Sequence, residues 1–99
     1  MSYKRLVKDL PVKVLKKLSV HLNPSMIVGG DWKSMAGEFG MTYSEILNYD
    51  RQPDPTMYVL AEWWQEGGDK TVTELLSVLR KIKREDTVRL LSPHENYGK

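Results

Sequence analysis

The side chains that could support catalysis or metal binding are few and lie far apart in the sequence. The two histidines, His21 and His94, fall at a predicted helix end and in the C-terminal tail. Asp50 and Asp54 flank a turn, where a carboxylate serves as a cap. The pair Gly29–Gly30 is not followed by the G-K-[ST] arrangement of a phosphate-binding loop. We therefore predict no catalytic residue, no metal site and no cofactor, and we do not expect an enzyme.

Length and composition favour one small domain in a reducing compartment. The 99 residues are 40% apolar, which is sufficient for a single hydrophobic core. No apolar run approaches the roughly 20 residues that a membrane helix needs, and the start of the chain is too polar and basic for a signal peptide. The absence of cysteine excludes disulfides, thiolate nucleophiles and zinc-finger ligands together. We predict one domain over residues 1–99, a cytoplasmic location and no membrane partner.

The net charge of +2 hides a strong segregation of charge along the chain. Up to residue 22 the only acid is Asp9, and the basic residues are Lys4, Arg5, Lys8, Lys13, Lys16 and Lys17. Residues 31–69 are mainly acidic, with Asp31, Glu38, Glu45, Asp50, Asp54, Glu62, Glu66 and Asp69. Basic side chains predominate again from residue 70. If these segments keep to separate faces, complementary patches favour association between copies or relatives. The simpler interpretation is a set of solvated helix faces.

Capping residues mark most of the predicted helix starts. Asp31, Thr42, Asp54 and Thr71 each precede apolar residues at helical spacing, so each is a predicted N-cap. Thr42 and Thr71 are each followed at the third position by a glutamate, which completes a capping box. The first helix is predicted to open at Asp9 and Pro11, and the sixth at Asp86. These signals, with no strand pattern, predict an all-α, six-helix antiparallel bundle.

The apolar stripes of the helices predict the core. It is expected around Trp32, Phe39, Leu60, Trp64, Leu75 and Leu79. Of the two adjacent tryptophans, Trp64 is preferred over Trp63 because it lies on the stripe centred on Leu60. On the first helix either Val14 or Val20 flanks the buried leucines. Met26, Ile27 and Val28 are expected to pack against the core, and residues 93–99 to form a flexible tail.

A helix-turn-helix over residues 31–50 is the main alternative, because small basic helical proteins with such a pair bind DNA. Its second helix, TYSEILNYD, includes Glu45 and Asp50 and has no basic residue before Arg51. Those charges would repel phosphates. We therefore prefer a protein that does not bind nucleic acid. A plain six-helix domain with some other partner is the remaining possibility.

The central stretch also resembles a known family. The matching residues are Asp31, Trp32, Met35, Ala36, Glu38, Tyr43, Glu45, Ile46, Gln52, Asp54, Pro55, Thr56, Leu60 and Trp63 or Trp64. They resemble a death domain, and most closely the death domains of the Toll/interleukin-1 receptor signalling adaptors. The opening DLPVKVLKKLSVHLNP resembles the first helix of the interleukin-receptor-associated, Pelle-type kinases. The resemblance covers residues from about 9 to 92 and contains neither the receptor-like domain nor the kinase domain of those relatives.

The resemblance implies a signalling scaffold that assembles with other death domains, either its own copies or those of adaptors and kinases, in a helical oligomer. Death domains meet through three asymmetric contacts. The first joins helices one and four of one copy to helices two and three of another, here Lys13, Lys16 and Lys17 to Glu38 and Glu45. The second joins the end of helix four to the loop before helix six, here Gln65 and Glu66 to Lys83, Arg84 and Glu85. The third uses helix three, here Asn48, Tyr49 and Arg51.

Aromatic residues are the candidate anchors of those contacts. Tyr43, Tyr58 and Trp63 could each fill a partner's surface, since aromatic side chains often dominate interface energetics. Packing in the domain's own core is the alternative for each. Exposed ion pairs contribute about 1 kcal/mol or less, so assembly would need many of them at once.

Overall fold

Six α-helices account for most of the chain in the computed structural model, which describes residues 4–24, 27, 29–67 and 69–96. They are α1 (Val12–Leu22), α2 (Trp32–Glu38), α3 (Tyr43–Tyr49), α4 (Pro55–Gln65), α5 (Val72–Lys81) and α6 (Glu85–Leu91). Short 3-10 turns at Val7–Asp9 and Ser92–His94 flank them. Within the described residues there is no strand, only isolated bridges joining Lys4 to Asn96 and Leu6 to Thr71. The predicted all-α, six-helix class is confirmed.

Side-chain caps fix four of the helix starts. The Asp31 carboxylate accepts the backbone N–H groups of Lys33 and Ser34 at 3.1 and 3.2 Å. Thr42 and Thr71 form complete capping boxes with the glutamates three residues on. Asp54 caps α4, where Pro55 takes the first helical position. These caps satisfy N–H groups that have no partner inside a helix, which is why the predicted starts of α2 to α5 are confirmed.

The remaining two helix starts differ from the prediction. Pro11 is the N-cap of α1, while Asp9 belongs to the separate 3-10 turn before it. Arg84 is the N-cap residue of α6 and makes no capping bond with its side chain. The prediction that Asp86 caps α6 is wrong, because α6 begins at Glu85 and Asp86 is its second helical residue. The Asp86 carboxylate accepts hydrogen bonds from Arg84 at 2.9 and 3.0 Å.

The core lies between α1, α2, α4, α5 and α6. α1 packs on α4 and α6, α2 packs on α4 and α5, and α5 packs on α6. The largest fully buried side chains are Trp32, Leu18, Leu22, Met35, Leu60, Leu75, Leu76, Leu79 and Leu91. An additional polar joint links α1 to α4, where the Asn23 side-chain oxygen accepts bonds from the N–H and hydroxyl of Thr56. α3 contributes no buried residue and rests on α4.

Three predictions about buried residues need correction or completion. Trp63, not Trp64, is the buried tryptophan, because its ring stacks on Phe39 with centroids 4.3 Å apart. On α1 the core takes Val14, whereas Val20 is exposed. Ile27 does not pack against the core and is fully exposed. Met26 and Val28 lie outside the described residues.

The C-terminal segment expected to be a flexible tail makes defined contacts as far as Asn96. The backbone N–H of Arg5 donates to the Glu95 carbonyl at 2.9 Å, and the Thr73 hydroxyl donates to the Glu95 carboxylate at 2.8 Å. Residues 97–99 lie outside the described part of the chain. No helix in that part is long and apolar enough to cross a membrane.

Candidate protein-interaction surfaces

The outward face of α1 is basic and partly apolar. Lys13, Lys16 and Lys17 are exposed because α1 turns its leucines toward the core. None of the three lysines forms an ion pair with any residue that the structure describes. Val12 and Val20, at 66% and 71% exposure, lie toward the two ends of the same helix. We call these five residues the α1 face, and its lysine charges have no ion-pair partner among the residues that the structure describes.

A cluster of acidic side chains surrounds the Tyr49 hydroxyl where α3 meets α4. Tyr49 donates a hydrogen bond to the Glu62 carboxylate at 3.1 Å. Burial raises the pKa of Tyr49 above its ordinary value, and the hydrogen bond to Glu62 and the negative charges of Glu62, Glu45 and Glu66 raise it further. The Tyr58 ring lies beside Tyr49, with centroids 6.2 Å apart. We call Glu45, Tyr49, Tyr58, Glu62 and Glu66 the α3–α4 face.

Sequence reasoning did not predict this grouping. It placed Glu45, Tyr49 and Glu66 in three different contacts and assigned no role to Glu62. The sequence feature that pointed to it is the four-residue spacing between Glu45 and Tyr49 and between Glu62 and Glu66. That spacing puts each pair on one side of its helix. Only the packing of α3 on α4 brings the two pairs together.

The outer side of α3 exposes apolar groups. Tyr43 is 76% exposed and Leu47 is 47% exposed, and the four-residue spacing places them on one side of the helix. Asn48 and Arg51 are exposed nearby in sequence. The Glu45 carboxylate accepts the Thr42 backbone N–H at 2.8 Å, so this predicted contact residue also holds the start of α3. Tyr43 remains a candidate anchor, whereas Trp63 is a core residue.

Arg84 differs from the other predicted contact residues because its side chain is hydrogen-bonded to other residues of the same chain. Its side chain is 13% exposed. The guanidinium donates to the carbonyls of Gly30 at 2.8 Å and His21 at 2.9 Å, in addition to the Asp86 carboxylate. One side chain thereby joins the end of α1, the loop before α2 and the start of α6. We drop Arg84 from the predicted contact and describe it as an internal clamp.

The clamp also sets the ionisation of its carboxylate. The Arg84 hydrogen bonds lower the pKa of Asp86 to about 2, with smaller contributions from a backbone hydrogen bond of Thr87 and the charges of Arg84 and His21. Burial acts in the opposite direction and is outweighed. The His21 ring nitrogen Nδ1 lies 3.4 Å from the same carboxylate. His21, predicted at a helix end, therefore lies beside this clamp.

The remaining predicted contact residues are exposed. Lys83 has a backbone φ of 62°, in the left-handed region at the end of α5. Gln65 and Glu85 are exposed. Glu38 faces a cleft of about 450 Å³ between α2 and the end of α5, whose lining includes Gly30, Ser34, Lys81 and Lys83. Among the described residues no group of three or more His, Cys, Asp or Glu side chains could hold a metal ion.

These features define a class of protein. A six-helix bundle with a basic outward face on one helix and an acidic, tyrosine-containing face on others has the architecture of a helical protein-interaction module. The chain matches the family model of the death domain over residues 15–94. Since this match covers most of its length, the chain belongs to the death domain family, whose members are interaction modules.

Proposed function

We propose that this death domain is a non-enzymatic signalling scaffold that oligomerises with its own copies or with related death domains. The observation that supports this most directly is the pairing of two complementary surfaces on one molecule. The α1 face presents lysines that pair with no acid in the described part of the chain, and the α3–α4 face presents three glutamates. Surfaces of opposite charge at different places favour head-to-tail contacts, which extend into open assemblies when the rotation does not close.

The outer side of α3 supports the same proposal. Apolar side chains exposed side by side are a feature of interaction sites, and aromatic anchors dominate many interfaces. Tyr43 and Leu47 form such a pair on a helix that has no fully buried residue. We propose them as part of a contact that also uses Asn48 and Arg51. Gln65, Lys83 and Glu85 are proposed as the second contact of the three that the family resemblance implies.

The pathway and compartment are proposed from the resemblance to particular death domains. The central residues and the first helix resemble those of Toll/interleukin-1 receptor adaptors and interleukin-receptor-associated kinases. We therefore propose a cytoplasmic role in innate immune signalling, with an adaptor or kinase death domain as the partner.

Nucleic-acid binding is the rejected alternative. α2 and α3 form a short helical pair, as a helix-turn-helix would. However, α3 exposes Tyr43, Glu45 and Leu47 rather than basic side chains. Protein affinity for DNA comes largely from lysines and arginines at the phosphates, which this helix lacks.

The test is the mass of the protein in solution by light scattering, across protein concentration, at low and high salt, and with and without duplex DNA. We expect growth beyond the monomer that weakens as salt screens the charged faces and that does not respond to DNA. A monomer under every condition would rule out self-assembly and leave a different death domain as the partner. Growth only with DNA would overturn the proposal in favour of nucleic-acid binding.

A further inference from the structure

The three tyrosines in the described part of the chain differ in what their side chains contact. The Tyr49 hydroxyl donates to the Glu62 carboxylate, and the Tyr49 ring lies beside the half-exposed ring of Tyr58. Tyr43 is 76% exposed, and its hydroxyl has no hydrogen-bond partner among the described residues. Tyr43 is therefore the tyrosine of this part of the chain that another protein reaches most easily.

The chain around Tyr43 opens more readily than the chain around Tyr58. A protein kinase binds its substrate as an extended segment, so a helical tyrosine has to leave its helix before it is modified. Tyr58 lies inside α4, directly before the fully buried Val59 and Leu60, and extending the chain there removes core side chains. Tyr43 is the first residue of α3, and extending the chain there opens one turn held by a capping box and the partly buried Ile46.

The segment around Tyr43 is acidic. Residues 34–50 contain Glu38, Glu45 and Asp50 and no lysine or arginine. Glu45 is exposed and lies two residues after Tyr43. Kinases select substrates partly by complementary charge, so this segment suits a kinase whose substrate groove is basic.

We propose that Tyr43 is a phosphorylation site for a tyrosine kinase that accepts acidic segments. The Tyr43 hydroxyl oxygen bonds to the γ-phosphorus of ATP, while the bond from that phosphorus to the oxygen that bridges the β- and γ-phosphates breaks. ADP leaves, and the hydroxyl proton passes to the catalytic aspartate of the kinase.

Phosphorylation of Tyr43 makes the apolar outer side of α3 strongly charged. The phosphate adds a charge of about −1.5 to −2 on the side of the helix that also exposes Leu47. A partner surface that accepts the ring and Leu47 then meets a charge that it has to desolvate. This second part of the inference rests on the proposed function, and it makes Tyr43 a switch that weakens contact through α3.

Rates of phosphorylation on the intact chain test the site. A peptide of residues 38–50 first selects, from a panel of tyrosine kinases, one that modifies Tyr43. That kinase and ATP are then incubated with the folded protein, and mass spectrometry of its digest gives the rate at each tyrosine. The ratio of the Tyr43 rate to the Tyr49 rate should be about tenfold higher in the folded protein than in the peptide, because only the fold bonds Tyr49 to Glu62. Thr42→Ala removes the cap of α3 and should raise the Tyr43 rate but not the Tyr58 rate.

Two results would show that the site is wrong. One is a panel in which no kinase modifies Tyr43 in the peptide. The other is a folded protein in which Tyr43 reacts no faster than Tyr49 or Tyr58.

Light scattering of the purified phosphorylated protein tests the switch. We expect the protein concentration needed for assembly to rise about tenfold. Tyr43→Phe is the matched control, because it keeps the ring, lacks the hydroxyl and should assemble like the wild type with or without the kinase. A phosphorylated protein that assembles like the unmodified one would overturn the switch and leave the site standing. A wild type that is monomeric under every condition would overturn self-assembly, while the rates at Tyr43 still decide the site.

Discussion

α3 and α5 begin in the same way and are held in the fold very differently. Each starts with a threonine and a glutamate in a complete capping box. α5 then buries Val72, Leu75, Leu76 and Leu79, whereas α3 buries no residue. A capping box therefore determines where a helix begins. The spacing of the apolar residues after it determines whether the helix buries side chains in the core.

The same difference associates α5 with the stability of the domain and α3 with contact to a partner. α5 lies between α2 and α6 and supplies core side chains. α3 rests on α4 and leaves Tyr43 and Leu47 exposed. Exposed side chains on a poorly buried helix can contact a partner without much loss of folding stability in the monomer.

The largest expected effect is a core truncation in α5 set against the equivalent change in α3. Leu79→Ala removes a fully buried side chain and should lower the free energy of unfolding by about 2–5 kcal/mol. Leu47→Ala changes a half-exposed leucine on α3 and should alter it by about 0.5 kcal/mol or less. Urea denaturation of both variants measures the two values. Equal losses would mean that α3 is part of the core and would contradict the comparison.

The Arg84 clamp is the next largest effect and has no counterpart at α3. Arg84→Ala leaves the carbonyls of His21 and Gly30 and the Asp86 carboxylate without their donor, and should cost about 1–3 kcal/mol of unfolding free energy. Arg80→Ala removes the same residue type from an exposed position on α5 and should cost about 0.5 kcal/mol or less. If denaturation gave both variants the same stability, Arg84 would not be a clamp.

Loss of the α5 cap and loss of the α3 cap should change different measured quantities. Thr71→Ala and Thr42→Ala each remove a capping oxygen, which is typically worth about 1 kcal/mol. Because α5 is part of the core, the first should lower the global free energy of unfolding. Because α3 has no fully buried residue and packs on the core through the partly buried Ile46 and Tyr49, the second should mainly accelerate amide exchange within α3. Urea denaturation combined with hydrogen exchange distinguishes these results, and a global loss from Thr42→Ala would go against the expectation.

The smallest effect is the pH dependence of the clamp. The pKa of Asp86 is about 2 in the folded chain, below its ordinary value of 3.8. Its ionised form therefore contributes stability that is complete above pH 3.8 and is lost as the pH falls through 2. Asp86 is 38% exposed, so we expect about 1 kcal/mol or less after solvent screening. Denaturation between pH 5 and pH 2 should show a smaller acid loss for Asp86→Asn than for wild type. Equal losses would place the acid sensitivity elsewhere.

The helix starts were the part of the fold most accessible from sequence. Asp31, Thr42, Asp54 and Thr71 act on N–H groups within three residues, so local sequence is sufficient to identify them. Asp86 looked equally suitable. It is not the N-cap because the helix already begins at Glu85, and its carboxylate is bound by an arginine two residues before it.

Side-chain partners across helices were not accessible in the same way. Trp63 and Trp64 are adjacent on a broad stripe, and the stacking of Phe39 on Trp63 decides which is buried. The α3–α4 face likewise depends on how one helix rests on another. The α1 lysines and Tyr43 could be identified as exposed candidates because helical spacing separates them from the apolar stripes.

The central claim is that α3, the helix with no fully buried residue, is the one that contacts a partner. Hydrogen exchange of α3 and α5, in dilute solution and after assembly at low salt, tests it most directly. In dilute solution α3 amides should exchange by local opening, and α5 amides only by global unfolding. On assembly α3 and the outward side of α4 should become protected while α5 remains unchanged. If α3 were already as protected as α5 in the monomer, and its protection did not change on assembly, that claim would be wrong.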